Sequence, residues 1–329
     1  MKGKVWRIFI IFSAMLLIAG CAAKKMLDLK MKKIVVVLSG SRDDMSWNMS
    51  NIEGIRACNE SKKVNIEYIE HVVENDYEKT FSEYAMSGYD IIIGAGSQFN
   101  DAIEAIAPKY KATLFCIING TVTNVDNVVS VRVKEYEVAY IASIIAGRET
   151  KNGVFATIGG YPNVPMKKML DVYEANAVRL AKERGIDTAH SMRAYANSWD
   201  DVKLGYDITE QMLEDGADTV LVYANKVCIG CINALKGKNA HMIGLATDQS
   251  RINSGVVIAS VIFDFEKLYT WVLDEYAAGR LPGKRQYAIG MNQDMFCLSY
   301  TDQISEDTVD AVNAALRDLR SGKIRLNEE

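Results

Sequence analysis

The stretch Gly88-Tyr-Asp-Ile-Ile-Ile-Gly94-Ala-Gly-Ser-Gln-Phe99 has a counterpart in Gly216-Ala-Asp-Thr-Val-Leu-Val-Tyr223-Ala-Asn-Lys-Val227. Each follows a segment of helical period, turns at a glycine, runs through a short apolar strand and opens through a polar loop into another helix. The similarity extends over 81–103 and 211–234, so the chain is read as two halves of similar build. Around them, apolar runs of strand length recur at 34–38, 65–69, 90–93, 113–118, 128–133, 154–158, 219–223, 241–245 and 256–259. Helix-period segments lie at 51–60, 77–86, 100–109, 135–148, 165–184, 199–215, 230–236, 265–278 and 305–321. This alternation predicts an α/β protein with parallel sheets, arranged as two doubly wound lobes with a ligand cleft between them. In such sheets ligands sit beyond the carboxyl ends of the strands, where loops and helix N-termini converge.

The first residues carry an address. Lys2, Lys4 and Arg7 precede an apolar run at 8–18, which ends in Ile18-Ala-Gly-Cys21. A basic n-region, a short apolar segment and small residues before a cysteine describe a signal peptide over 1–20. The Ala-Gly-Cys ending resembles a bacterial lipobox, which makes Cys21 the expected acylated N-terminus of a lipid-anchored, extracytoplasmic protein tethered by 21–31. Two acyl chains suffice for stable anchoring where one is marginal. The alternative is an ordinary secretory signal with an incidental cysteine. Removing 20 of the 329 residues takes the net charge from −4 to −7 and leaves enough chain for two domains. No basic tract is present, so nucleic acid is not an expected partner. Besides Cys21 the cysteines are 58, 116, 228, 231 and 297, an odd number that implies no complete disulfide framework. Cys228 and Cys231 are read as small buried residues one helical turn apart, with a local disulfide as the alternative.

Two polar loops each deliver a tryptophan. Asp43-Asp-Met-Ser-Trp47-Asn48 follows the run at 34–38, and Tyr195-Ala-Asn-Ser-Trp199-Asp-Asp201 precedes a helix. Each indole alone could equally pack on its own lobe or staple a helix start. Together they suit a clamp on a flat heterocycle, because stacking on a base contributes about 1–3 kcal/mol. Gly94-Ala-Gly96-Ser97-Gln98-Phe99 has two of the three glycines of a dinucleotide fingerprint, and Phe99 replaces the third. The milder reading is close backbone approach at Gly94 and Gly96 with hydrogen bonding from Ser97 and Gln98. Gly159-Gly160 is expected to do the same from the other lobe. There is no GxSxG elbow, no HExxH and no Walker loop, and the three histidines lack metal spacing. No catalysis, metal or cofactor is therefore expected.

Several segments together resemble one family. They are Asp44-Met-Ser-Trp47-Asn48 with Glu53-Gly54, Asn127-Val-Val-Ser130 followed by Glu137-Val-Ala-Tyr140, Ile158-Gly-Gly160, Ser198-Trp-Asp200, Gly216-Ala-Asp218 and Ile243-Gly-Leu-Ala-Thr-Asp248-Gln-Ser250. In order and spacing they are similar to the basic-membrane-protein family, lipoprotein substrate-binding components of ABC importers typified by purine nucleoside receptors. The resemblance spans about 32–325 and includes a Med-like branch described as regulators. It implies a type I periplasmic-binding fold with crossings near Lys134, Ile262 and Asn292. The first lobe is then 32–134 plus 262–292, and the second 135–261 plus 293–325. It also implies a monomer, ABC permease subunits as partners, and a site drawn from Asp44, Trp47, Asn48, Gly96, Ser97, Gln98, Asn119, Trp199, Asn225, Asp248 and Phe263.

Nucleoside-binding members carry carboxylates in the first loop, after the strand matching Phe115-Cys-Ile-Ile118, and in an Ile-Gly-x-Asp-x-Asp-Gln motif. They also carry a lysine three residues after a serine. The matching positions here are Leu38 or Ser39, Asn119, Ala246 and, counting from Ser260, Phe263. Carboxylates accept strong hydrogen bonds from ribose hydroxyls, so the resemblance with these departures implies a heterocycle without ribose. A purine base is expected first and a flavin-like ring second. Asp248 either adds an acceptor or caps a helix. Two roles stay open, a solute receptor for a permease and a lipid-tethered sensor of the same fold.

Overall fold

The computed structural model describes residues 27–326. From the N-terminus run β1 (Ile34–Val37), α1 (Trp47–Lys62), β2 (Ile66–Ile69), α2 (Tyr77–Met86), β3 (Ile91–Gly94), α3 (Asn100–Ile106), β4 (Leu114–Ile118) and β5 (Val128–Val133). After Lys134 follow α4 (Glu135–Glu149), β6 (Val154–Gly159), α5 (Val164–Glu183), β7 (His190–Tyr195), α6 (Val202–Glu214), β8 (Thr219–Tyr223), α7 (Val227–Leu235), β9 (His241–Ala246) and β10 (Val257–Phe263). Beyond Asp264 come α8 (Phe265–Ala277) and β11 (Arg285–Ile289), and beyond 290–295 come β12 (Phe296–Tyr300) and α9 (Glu306–Arg320).

The strands form two six-stranded sheets, ordered β11-β5-β4-β3-β1-β2 and β12-β10-β9-β8-β6-β7. Every pairing is parallel except β10 with β12. The two orders are the same winding, with β1 and β6 as the first strands and β3 and β8 in equivalent places. That is why 81–103 and 211–234 look alike. β1, β3 and β8 are buried along their whole length, as a parallel strand covered on both faces must be. Their Val and Ile side chains fill the layers between sheet and helices.

The interleaving of the lobes follows from the last third of the chain. β11 returns to the first sheet and β12 to the second. α8 packs on α1, and α9 on α4. The connections between the sheets are tied to one another. Lys134 N donates to Ile289 O at 2.9 Å, Asp264 N to Met295 O at 2.8 Å, and Met291 N to Glu137 Oε2 at 2.6 Å.

Several boundaries differ from expectation. Trp47 is the first residue of α1 and not the end of a loop, whereas Trp199 lies ahead of α6 in a loop and not in its first turn. β10 continues four residues past 259 to Phe263, and β7, β11 and β12 lie outside the expected strands. The 100–109 segment is α3 followed by a 3-10 turn, Ala107–Lys109, with a proline at its start.

The α1–α8 contact is close enough to demand a glycine. A Cβ on Gly54 would stand 2.4 Å from Phe265 Cβ and 2.6 Å from the Phe265 carbonyl carbon. Gly54→Ala is expected to push α8 off α1 and destabilise the fold by about 1–3 kcal/mol. A lowered urea midpoint with an unchanged m-value checks this.

Candidate functional site

Each sheet has a switch point beside its first strand, where the winding reverses. In the first sheet the loops after β1 and β3 flank it, and in the second those after β6 and β8. These loops hold Gly96, Ser97 and Gln98 on one side, with Trp47 at the helix start beyond β1, and Gly160, Tyr161 and Asn225 on the other. The loop carrying Trp199 follows β7, next to β6.

The first loop is built by Asp44. Its Oδ2 accepts from Asn48 N and Asn48 Nδ2, both at 2.8 Å, and its Oδ1 from Ser46 N at 2.9 Å and Met49 N at 3.0 Å. The carboxylate thus caps α1 in place of Ser46, whose side chain makes no cap bond. Burial pushes its pKa up against the opposing pull of those hydrogen bonds. Asn48 Oδ1 in turn accepts from Gly40 N at 3.3 Å, so Asp44 and Asn48 shape the loop.

Trp47 follows from this start. Its Nε1 donates to Ala95 O at 2.9 Å in the neighbouring loop. Its ring stands edge-on to Phe265 at 5.1 Å and to Phe263 at 6.4 Å. Phe263, 3% exposed, also meets Tyr223 and Phe296. Gln98 Nε2 donates to Ser39 Oγ at 2.9 Å, and Ser97 is exposed beside it.

In the second lobe the half-buried Trp199 lies across Gly160, where a Cβ would come within 2.2 Å of its Cζ3 atom. Gly160 therefore makes room for an indole. Tyr161 tilts against Trp199 at 5.4 Å. The structure brings Trp47 to the phenylalanines and Trp199 to Tyr161; the two indoles are not stacked on each other. Asn225 takes the left-handed conformation at the end of β8. Asp248 caps a short 3-10 turn, accepting from Ser250 Oγ at 2.6 Å, and pairs with Arg251 at 3.5 Å.

Contacts between the lobes converge on the first loop. Met45 O accepts from Thr247 Oγ1 at 2.6 Å and from Gln249 Nε2 at 3.3 Å, and Ser50 Oγ donates to Ala246 O at 2.9 Å. Asp43 pairs with Lys226 at 3.3 Å. Deeper in, Glu135 Oε1 accepts from Asn119 Nδ2 of the first lobe at 3.0 Å and from the Tyr223 hydroxyl of the second at 2.9 Å. Sequence reasoning missed Glu135, Tyr223 and Tyr161. The available signal was an aromatic at the end of a strand beside a switch point, in Thr219-Val-Leu-Val-Tyr223. Two recesses of about 190 and 70 Å³ lie beside α1 and β10, and neither reaches Trp199. Both fall below the ~300 Å³ typical of a ligand pocket.

Residues 31–328 match the family described as ABC transporter substrate-binding protein PnrA-like. The chain belongs to this family. It is 25% identical over 327 residues to the ABC transporter nucleoside-binding protein BmpA of Lactococcus lactis, covering 93% of this chain and 91% of the other. It is 23% identical over 287 residues to the transcriptional activator protein Med of Bacillus subtilis, covering 86% of each. Its fold superposes on an ABC transporter solute-binding protein of Aeropyrum pernix with a TM-score of 0.78, at 21% identity over 91% of this chain and 94% of that one.

In this PnrA-like protein the CxxC pair lies within a helix, one turn apart. Cys228 and Cys231 are free and buried in α7, and burial pushes the Cys231 thiol up to about 12. Among the described residues no group of three or more His, Cys, Asp or Glu is placed to hold a metal, and no helix is long and apolar enough to cross a membrane.

The Asp44 cap carries a direct test. Asp44→Ala leaves three backbone N–H groups at the start of α1 without their acceptor and is expected to cost about 2 kcal/mol of stability. Chemical denaturation of the purified chain measures it. An unchanged midpoint would show that the loop is held by other contacts.

Proposed function

We propose that the protein is the lipid-anchored, extracytoplasmic receptor of an ABC importer and takes a flat heterocycle, a purine base before its nucleoside, between its lobes. The observation that carries this reading is the pair of tryptophans, one per lobe: Trp47 at the helix start after β1, beside the first switch point, and Trp199 in the loop after β7, the neighbour of β6. Closure about the three crossovers would bring Trp199 and Tyr161 toward the Trp47 face of the cleft. Gln98 and Asn225 supply amide groups around that space, while the amides of Asn48 and Asn119 are already bonded within the protein.

The preference for a base rests on what stands where family members hold ribose. Ala246 and Phe263 are buried and offer no polar side-chain atom. Ribose hydroxyls set against them would be desolvated and unpaired, at about 1–3 kcal/mol per group. A second role, a tethered sensor reporting its bound solute to a regulatory partner, is favoured by the match to Med along 86% of the chain. The two roles share the cleft and differ only in who reads it. A permease and ATPase encoded beside this gene would favour import.

Calorimetric titration of the mature chain with guanine, hypoxanthine and adenine, each beside its nucleoside, and with riboflavin tests the ligand. Bases are expected to bind more tightly than their nucleosides, and Trp47→Ala and Trp199→Ala to weaken binding by about 1–3 kcal/mol each. A nucleoside that binds tenfold more tightly than its own base would sink the reading.

Anchoring has its own test, because Cys21 lies outside the described residues. Cys21→Ser is expected to move the protein from the detergent phase to the aqueous phase in a partition assay. A cleaved Cys21→Ser product that stays with membranes would overturn the lipid anchor.

A further inference from the structure

Glu135 is a half-buried carboxyl between the two lobes, and the described residues supply no cation beside it. Its Oε1 is held from both lobes, by Asn119 Nδ2 at 3.0 Å and by the Tyr223 hydroxyl at 2.9 Å. Both donors are themselves fixed. Asn119 adopts a left-handed backbone and its Oδ1 accepts from Val133 N at 2.8 Å. Tyr223 is buried, and burial together with the adjacent carboxyl drives its pKa well above the ordinary value, so its hydroxyl remains a donor. The other carboxylate oxygen, Oε2, makes no hydrogen bond to the described residues. A half-buried carboxyl without a counter-charge is costly unless its remaining acceptor sites meet water or a ligand. Burial accordingly raises the Glu135 pKa, against the pull of its two donors.

Tyr223 packs on Phe263 at 6.1 Å, and Phe263 on Trp47 at 6.4 Å, so Glu135 stands beside the same aromatic wall that carries the first indole. Asn119 follows β4, and Ala95, the acceptor of the Trp47 indole, follows the adjacent strand β3. Glu135 is also the first residue of α4, where backbone N–H groups favour negative charge.

We infer that Glu135 determines which heterocycle is taken, its Oε2 accepting from a ligand edge that presents N–H donors. This rests on the heterocycle reading and narrows it to an amino-oxo purine. Guanine offers N1–H beside its 2-amino group, two adjacent donors for a carboxylate. Adenine sets the lone pair of N1 beside its 6-amino group, and that lone pair repels the same oxygen.

Glu135→Gln is the discriminating variant. Its amide oxygen can keep both bonds to Asn119 and Tyr223, while its NH₂ turns the ligand-facing acceptor into a donor. Titrating the mature chain, we expect the wild type to bind guanine at least tenfold more tightly than adenine, and Glu135→Gln to reduce that ratio at least tenfold. Tyr223→Phe leaves the carboxylate in place and should weaken both bases while keeping the preference. Glu135→Ala, which removes acceptor and brace together, should bring guanine and adenine to similar affinity. Equal loss for both bases in Glu135→Gln and Glu135→Ala, with the ratio intact, would reduce Glu135 to a brace between lobes and overturn the inference alone. Failure of the wild type to bind any purine would overturn the heterocycle reading and this inference with it.

Discussion

Phe263 meets four other rings at once: Trp47 at 6.4 Å, Tyr223 at 6.1 Å, Phe265 at 6.2 Å and Phe296 at 5.6 Å. Two of these partners, Trp47 and Phe265, begin the helices α1 and α8 of the first lobe. The other two end β8 and start β12 of the second. Each ring removes 150–250 Å² from water, and each edge-on contact adds roughly 0.5–1.5 kcal/mol. The rings therefore form a pivot that both lobes share, at the point where the chain crosses for the second time. A polar or charged side chain at Phe263 would have to be solvated inside that cluster. The same packing sets the orientation of Trp47, because its indole is pinned by the phenylalanines on its edge and by Ala95 O on its nitrogen.

Polar contacts around this pivot use backbone as much as side chains. Met45 takes a left-handed backbone between Asp44 and Ser46, which turns its carbonyl toward Thr247 and Gln249. Ala246 also has positive φ, and its carbonyl receives Ser50. The Asp44 cap is what fixes that geometry on the first-lobe side. The loop that begins α1 is thus at once a helix cap, the support of an indole and the first lobe's contact with the second.

Much of the architecture was legible because parallel strands buried on both faces are continuous apolar runs. Val128–Val133 and Thr219–Tyr223 stand where the runs placed them, as does the helix Tyr77–Met86. The strands that sequence reading missed are edge strands. β7, β11 and β12 each close one end of a sheet, and their residues, such as Arg285-Gln-Tyr and Cys297-Leu-Ser-Tyr300, are only partly covered. An edge strand needs no apolar run, so none was there to read. The candidate site was legible in its loops and not in its connections. Nothing in the sequence pairs Glu135 with Tyr223, 88 residues away. Asp248 was left between acceptor and cap, and its bonds to Ser250 are those of a cap.

The return of β11 to the first sheet and of β12 to the second sets an order on folding. A ribosome releasing this chain has delivered β1 to β5 long before Arg285 appears, yet β5 lacks its outer neighbour until then. β10 waits in the same way for Phe296–Tyr300. The first sheet thus carries an open edge from Val133 until Arg285 and the second a briefer one from Phe263 until Phe296, and such non-local pairing slows closure. Neither lobe is complete until some three hundred residues are out. The nascent first lobe consequently presents an unpaired strand edge while the second is being made, an exposure that a chaperone can cover.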